Sequence, residues 1–190
     1  MFSGAKQLAE NIYLYENFLD KKDNEYMLEL IKFQNDDEWK RVGEQENTIL
    51  TLRTDIIEPL ILKVHSICPE GLDTVYNSSV NQIREGIIYG EHIDTNTSKH
   101  ILDASKKYID GEEFIFGDYP RFGLVFYFND DYDDGEIYYP EMKVSHKPKS
   151  GDLVIHSADI LHGTRPPKNG VRYTYTAAYT EKLKMSKNVI

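Results

Sequence analysis

The sequence predicts an α+β fold, a β-sandwich or barrel braced by helices at its N-terminal end. Three observations lead there. Apolar residues recur at helical spacing in the first third of the chain. From residue 80 onward the pattern changes to short alternating runs separated by turn dipeptides. No repeat, low-complexity stretch or linker divides the 190 residues, a length that suits one domain.

The elements follow in order. Ile12-Tyr13-Leu14-Tyr15 reads as a short strand. Asp20 and Asp23 make an acidic start for a helix carrying Tyr26, Met27, Leu30, Ile31 and Phe33, because negative side chains complement the positive end of the helix dipole. A second helix is expected near 48–67 on the period of Ile49, Leu52, Ile56, Ile57, Leu60, Ile61 and Val64, with Pro59 early in it or kinking it. Val80–Tyr89 and Phe122–Asn129 read as strands. Asp134-Gly135 turns the chain before Glu136–Tyr139, and Lys149-Ser150-Gly151 before Asp152–His156. Asn169-Gly170 leads into Val171–Tyr179, which alternates: Tyr173, Tyr175, Ala177 and Tyr179 on one face, Arg172, Thr174, Thr176 and Ala178 on the other. The section 95–120 is long and polar for one connection, which suggests a lid, a binding loop or a mobile segment.

Composition narrows the function classes. A net charge of −10 argues against nucleic-acid binding, which needs concentrated Lys and Arg to neutralise phosphate. No apolar run approaches a membrane span, and no signal peptide is visible. Cys68 is the single cysteine, so there is no intrachain disulfide or multi-thiolate metal site, and a reducing cytoplasm is the expected setting.

The triplet His92-Ile93-Asp94 carries the chemistry. Alone it means little, since about half of one H-x-D is expected by chance in this composition, and a surface ion pair is the simpler account. At a strand end, however, both side chains point to one side, and a further imidazole would complete a two-His-one-carboxylate face with three open positions. The downstream candidates are His100, His146, His156 and His162. His162 has the best context, in Leu161-His162-Gly163-Thr164-Arg165-Pro166-Pro167 ahead of the Asn169-Gly170 turn. Ten positions later, Arg172 stands among small residues. A buried unpaired guanidinium is costly, but such a fork suits a bidentate carboxylate. His156 reads as a barrel-lining strand residue, His146 as exposed and His65 as helical. Asp130–Asp134 reads as a solvated hairpin tip, since it lacks EF-hand spacing.

These residues in this order resemble the 2-oxoglutarate- and Fe(II)-dependent dioxygenases, in their prolyl-4-hydroxylase-like branch. The resemblance covers about residues 80–181 well and the N-terminal part loosely. Gly86-Ile87-Ile88-Tyr89 resembles the family's approach to its proximal ligands, and Phe126-Tyr127-Phe128-Asn129 its aromatic strand. Pro148–Ile155 resembles the turn and strand that lead to the distal histidine. Where the family often has paired glycines, Asp134 precedes Gly135.

The resemblance implies a double-stranded β-helix (jelly-roll) core at 80–181, with 1–79 as its helical support, in a single domain of 1–190. It implies Fe(II) on His92, Asp94 and His162, with no catalytic residue beyond these ligands. It implies 2-oxoglutarate held by Arg172 and Tyr127, with Tyr89 and Thr174 beside them. O2 is the oxidant and ascorbate an optional reductant. The implied reaction couples decarboxylation of 2-oxoglutarate to succinate with hydroxylation of a peptidyl proline or a small molecule. A carboxylate at Asp94, where related halogenases carry a small residue, favours hydroxylation. Two alternatives stand beside this reading. A nucleic-acid demethylase of the same superfamily would carry a second arginine at the position of Ala178, and a non-enzymatic jelly-roll module would leave Arg172 and the ligand set without a use.

Overall fold

A computed structural model describes residues 2–34, 39–42, 49–52, 54–95, 102–109 and 112–186. The chain opens with a hairpin of β1 (Lys6–Ala9) and β2 (Ile12–Tyr15), then enters α1 (Lys21–Lys32). Asp20 caps this helix, its carboxylate accepting a hydrogen bond from the Lys22 amide at 2.9 Å. Met27 and Ile31, one turn apart, are buried, whereas Tyr26 and Phe33 stay exposed. Asn24 fastens the helix to the sheet by donating its amide to the Phe128 carbonyl and the Ser150 hydroxyl.

The stretch expected as one helix near 48–67 divides. β3 (Lys40–Val42) is followed by β4 (Ile49–Leu52), a 3-10 turn at Thr54–Ile57 and only then α2 (Glu58–Ser66). Pro59 lies in the first turn of α2, where its missing N–H leaves no intrahelical bond unmade. Upstream of it, Leu50, Thr51 and Leu52 pair with Gln82, Asn81 and Val80 of β5 (Asp73–Ile83). Sheet pairing outweighs the local helical period there.

The strand expected over Val80–Tyr89 is likewise two. β5 ends at Ile83, the chain turns through Gly86 at φ +82°, and β6 (Tyr89–His92) joins a different sheet. The section 95–120 is largely strand, not loop. β7 (Leu102–Ile109) pairs with the first half of β8 (Glu112–Tyr127). Residues 96–101, 110 and 111 lie outside the described residues. Then come β9 (Asp133–Asp134), β10 (Ile137–Tyr139), β11 (Val144–His146), β12 (Leu153–Ser157), β13 (His162–Thr164), β14 (Pro167–Lys168) and β15 (Arg172–Ser186). The turn before β10 has Asp134 and Gly135 both at positive φ.

The architecture is mostly antiparallel sheet. A major sheet runs β1-β2-β12-β8-β15-β5-β4-β3, with β7 added to β8, and a minor sheet runs β11-β10-β13-β6. Strand alternation sorts the interior. Phe126 of β8, Leu153 and Ile155 of β12, and Tyr173 and Tyr175 of β15 pack in one cluster with Met27, Ile31, Leu60 and Val64 of the helices. Tyr127 and Val154, on the opposite parity, pack with Ile137 and Tyr139 of the minor sheet. Burying each large apolar side chain contributes roughly 1.5–3 kcal/mol. The space between the two sheets also holds the polar residues described next. No helix among the described residues is long and apolar enough to cross a membrane.

Candidate active site

His92 and His162 are register partners in the β6–β13 ladder, so their imidazoles come off adjacent strands side by side with ring centroids 4.4 Å apart. Asp94 follows β6 by two residues and brings Oδ1 to 3.5 Å from His92 Nε2 and 3.8 Å from His162 Nε2. One ligand atom from each of the three residues lies within 4.8 Å of the others, close enough for one metal ion. The segment after Asp94 is tied down by Thr95, whose amide and hydroxyl both donate to the Ala158 carbonyl.

The imidazoles are oriented for this role. Nδ1 of His92 lies 2.9 Å from the Gly90 carbonyl, and Nδ1 of His162 lies 2.9 Å from the Ile160 carbonyl. A carbonyl only accepts, so each Nδ1 carries a proton; neutral His162 is left with a lone pair on Nε2, whereas Nε2 of His92 holds a proton against the Asp94 carboxylate that it would give up on binding a metal ion. Burial lowers His162 to about 4, which keeps it neutral. The hydrogen bond to Asp94 raises His92. Burial would raise Asp94, but hydrogen bonds from His156 and His92 hold its carboxyl well below the usual carboxylate range. The set is thus two neutral-capable nitrogens and one ionised oxygen, the donor chemistry of a non-haem iron face.

A cavity of about 170 Å³ leads from these residues to Arg172, passing Leu124, Val125 and Ile137. Arg172 is 2 % exposed. Its guanidinium donates to the Gly135 and Arg165 carbonyls and the Thr164 hydroxyl at 3.0–3.3 Å, with no carboxylate partner among the described residues. Its Nε and the Tyr127 hydroxyl, both buried, have no hydrogen-bond partner among the described residues. Burial pushes the Tyr127 hydroxyl up to about 12, against the pull of Arg172, so it stays a donor. A buried positive charge with unused donors beside it is unfavourable until an anion arrives.

The sequence-predicted residues are therefore brought together. His92, Asp94, His162, Arg172, Tyr127 and Thr174 all line the one cavity. Tyr89 begins β6, but its side chain, like His100, lies outside the described residues. Ala177 lines the cavity beside Thr174 and Thr176, where alternation put Ala178. His146 departs from the expected exposure: it is partly buried, 3.0 Å from the buried Asp152 carboxylate.

Sequence reasoning missed three participants. His156 does line the barrel interior, but its Nε2 also lies 3.1 Å from Asp94 Oδ2. Tyr139 places its hydroxyl 3.2 Å from His156 Nδ1. Gly123 lies under both partners of the first contact. A Cβ there would overlap Asp94 Oδ2 and stand 2.8 Å from His156 Nε2. Only parity along β12, where His156 follows Val154 by two, could have signalled any of this.

No protein-family model matches the sequence, and no curated protein matches it by sequence. Solved structures do match. A prolyl-4-hydroxylase from Pseudomonas putida aligns at TM-score 0.64 and 15% identity, over 90% of this chain and 92% of that one. The viral collagen prolyl hydroxylase of Paramecium Bursaria Chlorella virus-1 aligns at 0.62 and 15%, over 90% of each chain. The chain has the prolyl-hydroxylase fold. HygX from Streptomyces hygroscopicus, solved with nickel and 2-oxoglutarate bound, shares it at TM-score 0.59 and 11% identity, over 90% of this chain and 83% of HygX. At such identities the likeness shows the fold alone.

Proposed function

We propose that this chain is a 2-oxoglutarate- and Fe(II)-dependent hydroxylase acting on a peptidyl proline or a small molecule. One observation carries the reading: a His-Asp-His cluster and a buried, anion-seeking arginine occupy the same cavity. Prolyl hydroxylases and HygX with 2-oxoglutarate bound share the fold, which supports it.

The residues fit the groups this activity needs. His92 Nε2, His162 Nε2 and Asp94 Oδ1 would hold Fe(II), and the two Nδ1–H···O=C bonds keep the imidazoles turned to it. Arg172 and Tyr127 would hold the distal carboxylate of 2-oxoglutarate, using the donors that have no partner among the described residues, with Thr174 and Tyr89 as neighbours. Bound iron supplies O2 activation coupled to decarboxylation of 2-oxoglutarate and hydroxylation of the substrate. Leu124, Val125 and Ile137 make the intervening wall apolar and exclude water.

In this reading 80–181 is the jelly-roll core of a single domain, and residues 1–79 support it, α1 and α2 bracing one face while β1–β4 and the start of β5 add to its major sheet. O2 is the oxidant, with ascorbate as an optional reductant. The single Cys68 supports a reducing, cytoplasmic setting, and the charge of −10 speaks against a nucleic-acid substrate. The test is succinate release from 2-oxoglutarate with Fe(II), O2 and a panel of prolyl peptides and small amines. Succinate formation abolished by His162→Ala supports the reading, and no 2-oxoglutarate binding under any condition overturns it.

A further inference from the structure

We propose that His156, held by Tyr139, is a positioning residue that restricts Asp94 to one-oxygen ligation and so preserves three open metal positions. This rests on the metal reading above and concerns residues that reading does not use.

The geometry forms a chain of three side chains. Tyr139 on β10 places its hydroxyl 3.2 Å from Nδ1 of His156 on β12, and Nε2 of His156 is 3.1 Å from Oδ2 of Asp94. A carboxylate only accepts, so Nε2 carries a proton. With a single ring proton, Nδ1 is then an acceptor and the Tyr139 hydroxyl donates to it. Both Tyr139 and His156 are almost fully buried, at 0 % and 1 % exposed, so water does not compete for the bond between them, and the second bond is open only at its Asp94 end. The His156 ring also lies between Tyr139, which it meets edge-on at 5.6 Å, and His162, tilted to it at 4.1 Å between centroids, which leaves the imidazole little freedom to turn.

Consequently the two oxygens of Asp94 have different partners. Oδ2 is engaged by His156 and lies against Gly123, while Oδ1 faces His92 and His162. The bond to His156 takes a lone pair of Oδ2 and fixes the carboxylate plane, so that Oδ1 is the oxygen presented to His92 and His162. The difference matters because a six-position metal with two imidazoles and one oxygen keeps three places. In the proposed reaction these places would be left for 2-oxoglutarate and O2. A carboxylate binding through both oxygens would fill one of them. His156 is not itself grouped with the three candidate ligands, whose atoms cluster without it.

The experiment uses Co(II) as the probe in wild type, His156→Leu, His156→Gln and Tyr139→Phe. Proton NMR counts the exchangeable, paramagnetically shifted ring N–H signals of ligating histidines, and the d–d absorption reports the coordination. Wild type is expected to show two such N–H signals, from Nδ1 of His92 and His162. His156→Leu is expected to keep both, change the d–d band and lose roughly 10–100-fold in Co(II) affinity, the range for removing an outer-shell partner. His156→Gln, whose amide nitrogen can stand near the Nε2 position, should recover most of both, and Tyr139→Phe should fall between. Should His156→Leu prove insoluble, the Gln and Tyr139→Phe pair decides by the same band. Three N–H signals in wild type would make His156 a ligand and overturn the proposal while leaving the metal site standing. An unchanged band and affinity in His156→Leu, or in Tyr139→Phe if Leu fails, would also overturn it alone. Absence of Co(II) binding by wild type would overturn the metal reading as well.

Discussion

His92 and His162 face each other across the β6–β13 ladder, although seventy positions separate them in the chain. Their pairing register, and not a local motif, creates the metal-sized gap that Asp94 closes. Strand pairing is cooperative, so the site is as rigid as the minor sheet that carries it.

Removing any one of the three should therefore be worse than removing a supporting residue. His92→Ala, Asp94→Ala and His162→Ala are each expected to lose more Fe(II) or Co(II) affinity than the roughly 10–100-fold of an outer-shell change. Isothermal titration with Co(II) measures it. Retained affinity in His162→Ala would displace the distal assignment.

Gly123 makes a second case. It has an ordinary backbone conformation but no room for a methyl, because Asp94 Oδ2 and His156 Nε2 occupy the space. Gly123→Ala should cost about 1–3 kcal/mol of stability from overpacking and weaken metal binding as well, since the pushed group is a candidate ligand. Denaturant unfolding combined with Co(II) titration checks both effects. Loss of stability with normal metal affinity would mean that the chain relaxes away from the site.

The metal-free protein should also lose stability on acidification in a definite window. Burial lowers His162 to about 4 in the folded state, below its ordinary value of 6.5. The unfolded chain then binds this proton first, so the stabilisation is present above 6.5 and is lost as pH falls from there toward 4. The full effect is on the order of 3 kcal/mol. His92, raised by Asp94, acts in the opposite direction, losing its contribution as pH rises above its ordinary value. Urea unfolding at pH 7, 6, 5 and 4 in wild type and His162→Gln separates the two: the variant should show a shallower decline between 6.5 and 4.

The amide of Asn24 supplies a stability test away from the site. It is buried and donates to Phe128 and Ser150, the join between α1 and the strand ends. Asn24→Ala should destabilise by about 1–3 kcal/mol, since the Phe128 carbonyl loses a partner, although Ser150 also donates to it. Metal affinity should be unaffected. A coupled loss of both would place α1 in the support of the cavity.

Much of this was legible in the sequence. His92 with Asp94 shared a parity, His162 stood ahead of a turn, and Arg172 sat on the small-residue face of an alternating strand. What resisted were the features set by partners distant in sequence. Ile49–Leu52 fits a helical period, yet Leu50 to Leu52 pair with β5 and become strand. The polar section after Asp94 hid a hairpin, because Lys106, Lys107, Glu112 and Glu113 give a strand no apolar alternation to read. His156 looked like an ordinary barrel residue, since its contact with Asp94 depends on where β12 lies relative to the end of β6. A local window contains the parity of a residue but not its neighbour across the sheet.

The most direct measurement concerns Arg172, whose buried guanidinium lines the same cavity as His92, Asp94 and His162. Among the described residues its Nε and the Tyr127 hydroxyl have no hydrogen-bond partner, and its guanidinium donates to neutral oxygens. Anaerobic titration of 2-oxoglutarate into the Fe(II)-loaded protein, followed by the metal-to-ligand absorption band, should give tight binding in wild type. Arg172→Leu should weaken it by about 2–4 kcal/mol, the range for losing one partner of a buried charge pair. Arg172→Lys should fall between, with the charge kept and the fork lost. Fe(II) affinity should be unchanged in all three. Equal 2-oxoglutarate affinities across the series, or no absorption band in wild type, would contradict the assignment of this cavity to 2-oxoglutarate.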